Sequence, residues 1–257
     1  MKNATRYDTQ WFMNCRDITF ISDGYQLSGT LHLSEASDPP VIIGSHGLLS
    51  SADSPKQIAL ANECARAGMA YFRYNHRGCG NSQGNFETDT SLESRCRDML
   101  HAVNCLRSFG LSCNRIGLFG SSMGGAVCIS MATELSADAM IVNAAPVKLD
   151  RTRRIPGVSE PLKSDLKFDL SDKLNRLHHI LIFHGEADDV VPVAHSHLIH
   201  KQAQQPKRLR LFKNGDHIMS NPNHQATFIR DSTQWFRRYL LSTHHELNLS
   251  QKRKWLK

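Results

Sequence analysis

The apolar run Ile116-Gly117-Leu118-Phe119 leads into Gly120-Ser121-Ser122-Met123-Gly124-Gly125-Ala126, and a helical pattern follows. Gly-x-Ser-x-Gly set between a strand and a helix is an arrangement that exposes a serine hydroxyl for nucleophilic attack. So tight a turn leaves no room for a Cβ at Gly120 or Gly124 and holds Ser122 in a strained pose. The hydroxyl falls at a helix N-terminus, where free N–H groups and the dipole favour developing negative charge. The Met123 N–H is thereby one oxyanion donor. The plainer alternative is a glycine-rich helix start with Ser122 as its cap. A nucleotide loop fits less well, because Gly78-Cys79-Gly80-Asn81-Ser82-Gln83-Gly84 is one residue too long for Gly-x-Gly-x-x-Gly.

A serine hydroxyl is a weak nucleophile near neutral pH and needs a base that is itself oriented by a carboxylate. Two later segments offer such partners. Ile180–His184 reads as a strand emptying into Gly185-Glu186-Ala187-Asp188-Asp189-Val190-Val191-Pro192, and Arg208–Lys213 as one emptying into Asn214-Gly215-Asp216-His217. Both would open on the sheet edge that carries Ser122, in the chain order Ser, Asp, His. His195-x-His197-x-x-His200 has the look of a metal site, but residues two apart on a helix face apart, so it reads as a solvated face. His178-His179 and His244-His245 read as surface pairs, and His184 as structural.

The elements that must position these residues are legible as an alternation. Cys15–Ile21 and Tyr25–Leu33 flank Ser22-Asp23-Gly24 and read as a hairpin. Val41–Ser45, Met69–Tyr74, Ile116–Gly120, Ala139–Ala144, Ile180–His184 and Arg208–Lys213 are further strands, several of them nearly continuous apolar runs covered on both faces. Helical spacing occupies Lys56–Ala67, Leu92–Phe109, Met123–Leu135, His195–Gln204 and Gln225–Leu241. In the second of these, Leu92, Cys96, Met99, Leu100, Val103 and Leu106 form one buried stripe. Such alternation implies an α/β fold with a mostly parallel sheet, whose reactive residues sit on loops after the carboxyl ends of strands. No repeat or linker interrupts it, so residues 1–257 read as one domain, with 146–177 a small cap or flap.

Composition narrows the class of function. The 257 residues are 40% hydrophobic and 21% charged, which excludes a wholly disordered or coiled-coil chain. No run approaches the roughly 20 apolar residues that span a bilayer, and the first residues lack the apolar stretch of a secretory signal. A cytoplasmic protein is the expectation. The net charge is +7, but the basic residues are dispersed apart from Arg151–Arg154, Lys207–Arg210 and Lys252–Lys254. None of these clusters is interleaved with aromatics, so specific nucleic-acid binding is not expected. Seven cysteines without a Cys-x-x-Cys pair read as free thiols rather than zinc ligands.

Taken together, the chain resembles the α/β-hydrolase superfamily along most of its length. The resemblance rests on His46-Gly47-Leu48, Arg77-Gly78-x-Gly80-x-Ser82, the Gly-Ser-Ser-Met-Gly-Gly elbow, His184-Gly-x-x-Asp188-x-x-Val-Pro192 and Gly215-Asp216-His217. It is similar in particular to small serine esterases and the serine aminopeptidase S33-like branch, which share the His-Arg-Gly-x-Gly turn. The resemblance implies an eight-stranded sheet with an antiparallel second strand, and a minimal cap. It implies Ser122 as nucleophile, His217 as base, Asp188 as the orienting acid with Asp189 as the alternative, and Asp216 as a brace of its loop. Leu48 N–H joins Met123 N–H as the second oxyanion donor. His46 would shape the oxyanion loop through its ring nitrogens, and Arg77 would tie down its turn through carbonyls. The implied activity is cleavage of small to medium carboxylic esters through an acyl-enzyme, with no cofactor and no metal. Thioester or peptide cleavage by the same triad, and a non-catalytic ligand-binding protein on the same fold, are the alternatives.

Overall fold

A computed structural model describes residues 14–149 and 166–241. In chain order it contains β1 (Cys15–Ser22), β2 (Tyr25–His32), β3 (Val41–Ser45), α1 (Pro55–Arg66), β4 (Ala70–Tyr74), α2 (Phe86–Asp89), α3 (Leu92–Ser108), β5 (Ile116–Ser121), α4 (Met123–Met131) and β6 (Ala139–Asn143). Then come β7 (Lys148–Leu149), β8 (Phe168–Asp169), a 3₁₀ turn at Ser171–Arg176, β9 (Ile180–Gly185), α5 (Ala194–Gln202), β10 (Lys207–Phe212) and α6 (Pro222–Phe236), which ends in a π turn over Arg237–Leu241.

Eight strands form one sheet in the order β1-β2-β4-β3-β5-β6-β9-β10. Only β2 runs against its neighbours, antiparallel to both β1 and β4, and the rest pair in parallel. The parallel strands alternate core residues onto two faces, as a period of two demands. Ile43, Phe72, Leu118, Val142 and Ile182 pack against Met99 and Val103 of α3, Val127 of α4 and Ile199 of α5. Ile42, Tyr71, Phe119, Ile141 and Phe183 pack on the other side against Leu60 of α1 and Phe228 and Phe236 of α6. Helices thus cover both faces, which is why the strands read as continuous apolar runs.

Two helices depart from their expected bounds for local reasons. The last one begins at Pro222 rather than Gln225, because Asn221 accepts the Asn223 N–H as a cap and proline suits the first turn. The helix after Ser122 stops at Met131 rather than Leu135, and the chain closes through turns with Ser136 at a positive φ of 49°. On α3 the buried face is rotated from the expected stripe. Ser94, Arg95, Asp98, Met99, Ala102, Val103 and Leu106 are buried, while Leu92, Cys96 and Leu100 are half-buried. Of the expected cap, residues 150–165 lie outside the described residues, as do the arginines at 151, 153 and 154, His244-His245 and the lysines at 252 and 254. The described residues of that stretch form a two-residue ribbon of β7 with β8, which is not foreshadowed in the sequence, and the 3₁₀ turn. The seven cysteines are free thiols. Among the described residues no helix is long and apolar enough to cross a membrane.

Candidate active site

The parallel strands β3, β5, β9 and β10 deliver their carboxyl ends to one edge of the sheet. Ser122 follows β5 at φ 53° and ψ −122°, a left-handed backbone that costs a non-glycine residue energy. The surroundings leave it no alternative. A Cβ at Gly120 would collide with the Gly124 carbonyl, and one at Gly124 with the Ser45 carbonyl, so the elbow, α4 and the end of β3 are in backbone contact. Ser122 N–H donates to the Asn143 carbonyl at 2.8 Å, which ties the elbow to β6.

Asp188 and His217 arrive from the loops after β9 and β10. A Cβ at Gly185 would meet the Gly215 carbonyl, and Ala187 N–H donates to that same carbonyl at 2.9 Å, so the two loops are held together. His217 Nδ1 stands 2.7 Å from Asp188 Oδ2. A carboxylate only accepts, so Nδ1 carries the proton and Nε2 keeps its lone pair. Asp188 Oδ1 accepts the N–H groups of Val190 and Val191 at 2.9 and 2.8 Å, and Oδ2 also faces His184 Nε2 at 3.1 Å. Burial alone would raise the Asp188 pKa. The bonds from His184, His217 and Val191 outweigh it and hold the group well below the usual carboxylate range. Asp189 is exposed and makes no side-chain hydrogen bond among the described residues. Asp216 accepts the Ser220 N–H at 2.8 Å within its own loop. The structure therefore joins Asp188 to His217. It does not join Ser122 to either, since the Ser122 hydroxyl makes no hydrogen bond among the described residues. Catalytic hydrogen bonds are commonly long without substrate and tighten in the complex.

The loop expected to supply an oxyanion donor, residues 46–48, follows β3. His46 is fully buried; its Nδ1 donates to the Gly47 carbonyl at 2.7 Å and its Nε2 accepts the His76 N–H at 3.1 Å. Burial and the nearby Arg95 charge keep its ring neutral. A Cβ on Gly47 would lie 3.6 Å from Ser122 Cβ, so the loop borders the elbow. Neither Leu48 N–H nor Met123 N–H donates to any acceptor among the described residues.

Several residues around the site went unrecognised in the sequence. Arg77 binds carboxylates rather than the expected carbonyls: its Nη2 donates to Asp98 Oδ1 at 2.7 Å and to Asp23 Oδ2 at 2.8 Å. Asp98, fully buried, also accepts the Arg77 N–H at 3.0 Å and faces His76 Nδ1 at 3.4 Å. Arg95 and Asp98 could have been found by phase, since both fall in step with Met99, Ala102 and Leu106 on the buried face. Lys56, half-buried at the start of α1, reaches within 3.5 Å of Ser121 Oγ, to which Asn143 Nδ2 also donates at 3.3 Å. Burial pulls the Lys56 pKa down to about 8 against the opposing pull of Asp216. His195, assigned to a solvated face, is half-buried and accepts the Val147 N–H at 3.1 Å. His178 is exposed as expected, but His179 stacks on Tyr239 with ring centroids 4.4 Å apart. Among the described residues no group of three or more His, Cys, Asp or Glu is arranged to hold a metal ion.

The family model of serine aminopeptidase, S33 matches residues 38–178, more than half of the chain, and that of the prolyl oligopeptidase family matches residues 157–243. An uncharacterized protein, YfhR of Escherichia coli O157:H7, is 30% identical over 155 residues, covering 57% of this chain and 52% of YfhR. The mitochondrial palmitoyl-protein thioesterase ABHD10 of Bos taurus is 31% identical over 127 residues, covering 49% of this chain and 40% of that protein. The chain thus spans about half the length of the curated relatives it matches. Among solved structures, Est1E from Butyrivibrio proteoclasticus with bound ferulic acid superimposes with a TM-score of 0.74 at 20% identity, covering 88% of this chain and all of that one.

Proposed function

The chain belongs to the serine aminopeptidase S33 family of α/β-hydrolases, and from that premise we propose that it is a serine hydrolase that cleaves carboxylic esters of small to medium substrates. The observation that carries the reading is the 2.7 Å bond between His217 Nδ1 and Asp188 Oδ2, on loops that open at the same sheet edge as the strained Ser122.

In this reading Ser122 Oγ attacks the ester carbonyl carbon while His217 Nε2 takes the hydroxyl proton. Asp188 stabilises the imidazolium that forms and remains ionised throughout. The carbonyl oxygen becomes an oxyanion held by Met123 N–H and Leu48 N–H, donors of a kind worth about 3 kcal/mol each in the transition state. Collapse expels the alcohol, which leaves with the proton from His217, and the acyl group stays on Ser122. Water then attacks the acyl-enzyme with His217 again as base, releasing the acid and restoring the serine. Leu49, Val190 and Ile218 are 53%, 45% and 70% exposed on the oxyanion, acid and histidine loops. Large apolar side chains left in solvent around the site would suit an ester with an apolar acyl or alcohol part.

Thioester cleavage is the second reading, favoured by two relatives, the bovine palmitoyl-protein thioesterase and the thiohydrolase aneE of Aspergillus aculeatus. One screen tests both. p-Nitrophenyl esters of graded chain length should be hydrolysed faster than matched acyl thioesters and aminoacyl amides. A reversed order between esters and thioesters moves the assignment to the second reading, and turnover of amides alone contradicts both.

A further inference from the structure

Arg95 on α3 is the largest fully buried side chain of the described residues, yet it forms no ion pair among them. Asp98, one turn further along, is taken up by Arg77 and His76. A guanidinium buried without a carboxylate is costly, and Arg95 Nε has no hydrogen-bond partner among the described residues. Its remaining donors go to three carbonyls of one loop and to a single thiol. Nη1 reaches the carbonyls of His46 and Gly47 at 3.3 and 3.4 Å, and Nη2 reaches the Leu48 carbonyl at 3.2 Å and Cys79 Sγ at 3.5 Å. Three successive carbonyls of the oxyanion loop thus point at one cation.

The geometry of the peptide unit gives this a chemical consequence. In a planar trans peptide the Leu48 N–H is anti to the Gly47 carbonyl. That carbonyl is held by His46 Nδ1 at 2.7 Å, by Ser50 N–H at 3.3 Å and by Arg95. Fixing the oxygen fixes the N–H, which is aimed away from Arg95 and is spent on no other acceptor among the described residues. We propose that Arg95 is a positioning residue for the oxyanion hole: together with His46 it locks the Gly47–Leu48 peptide plane so that Leu48 N–H is presented to the transition-state oxygen. This inference rests on the hydrolase reading given above and on Leu48 as one of its donors.

The test compares the wild-type chain with Arg95→Met and Arg95→Lys. Arg95→Lys keeps the charge but cannot fork across three carbonyls, and it carries the test alone if Arg95→Met does not melt cooperatively. Steady-state kinetics on the best ester are set beside inhibition by a trifluoromethyl ketone of matched shape, which forms a tetrahedral adduct with serine. The expected result is a kcat lower by about 10- to 100-fold with KM within about twofold, because a misaimed donor is lost only in the transition state. Affinity for the ketone should weaken by the same factor as kcat/KM. An unchanged kcat in a folded variant overturns the proposal, as does a loss carried by KM with ketone affinity intact. A wild-type chain that neither turns over esters nor reacts with a fluorophosphonate overturns the hydrolase reading instead, and this inference with it.

Discussion

His184 Nε2 stands 3.1 Å from Asp188 Oδ2, the same oxygen that His217 Nδ1 meets at 2.7 Å. His184 Nε2 also faces the Val191 carbonyl at 2.9 Å, which can only accept, so that nitrogen carries the proton and Nδ1 is left to the Ser196 hydroxyl at 2.7 Å. The acid of the proposed triad is therefore flanked by two imidazoles, one fully buried at the end of β9 and one half-buried on the loop after β10.

This arrangement predicts that His184→Ala lowers unfolding stability by about 2 kcal/mol or more, the usual worth of a hydrogen bond to a buried charge plus the void left behind. Turnover should fall about tenfold, and His184→Gln should restore part of both. Urea unfolding and initial rates check it. Wild-type stability and turnover in His184→Ala would reduce the contact to an incidental one.

Asp188 and Asp189 are adjacent in sequence but opposite in setting, one with its side chain enclosed by three hydrogen bonds and the buried His184 ring, the other in solvent. Asp188→Asn should reduce kcat on the order of 10⁴-fold, as in other triads where the histidine loses its orienting acid. Asp189→Asn should leave kcat within about twofold. The reverse pattern in ester kinetics would shift the acid by one residue.

Stability should fall as solutions are acidified from about pH 6.5 to about pH 4. Burial, with the neighbouring Arg73 charge, lowers the His32 pKa to about 4, and burial against the pull of Asp98 does the same for His76. In the unfolded chain both rings take their protons near the reference value of about 6.5. Across that window the unfolded state binds more protons, so it gains on the native state as pH falls. Below about pH 4 the contribution of these two rings levels off. Asp98 and Asp188, whose native pKa values are depressed, then extend the loss as the unfolded carboxylates protonate. Thermal midpoints measured from pH 7.5 to 4.5 should decline steadily, and a flat profile would contradict the assignment of neutral buried rings.

The sheet was legible because its parallel strands are short apolar runs bounded by turn residues, and most observed bounds lie within a residue or two of those read from the sequence. The elbow at Ser122 was legible because its glycine spacing falls between an apolar strand and a helical pattern, and the candidate partners were legible because strands β9 and β10 empty into acidic and histidine-bearing loops. What surrounds them was not. Apolar counting centred the buried face of α3 on Leu92, Cys96 and Leu100, whereas the face that is buried carries Arg95 and Asp98, because a buried arginine or aspartate is tolerated only by partners far away in sequence, here residues 46–48 and 77. Arg77 was misread for the same reason, since nothing near it in the chain reveals that Asp98 faces it. Asn221-Pro222, by contrast, was a readable helix start that apolar periodicity overlooked.

Active-site labelling tests most directly whether Ser122 is the nucleophile. The intact chain is treated with a fluorophosphonate at neutral pH, and the modified peptide is located by mass spectrometry. One adduct at Ser122 is predicted, absent from Ser122→Ala and much slower to form in His217→Ala. A wild-type chain left unlabelled, or labelled equally after Ser122→Ala, would contradict the account.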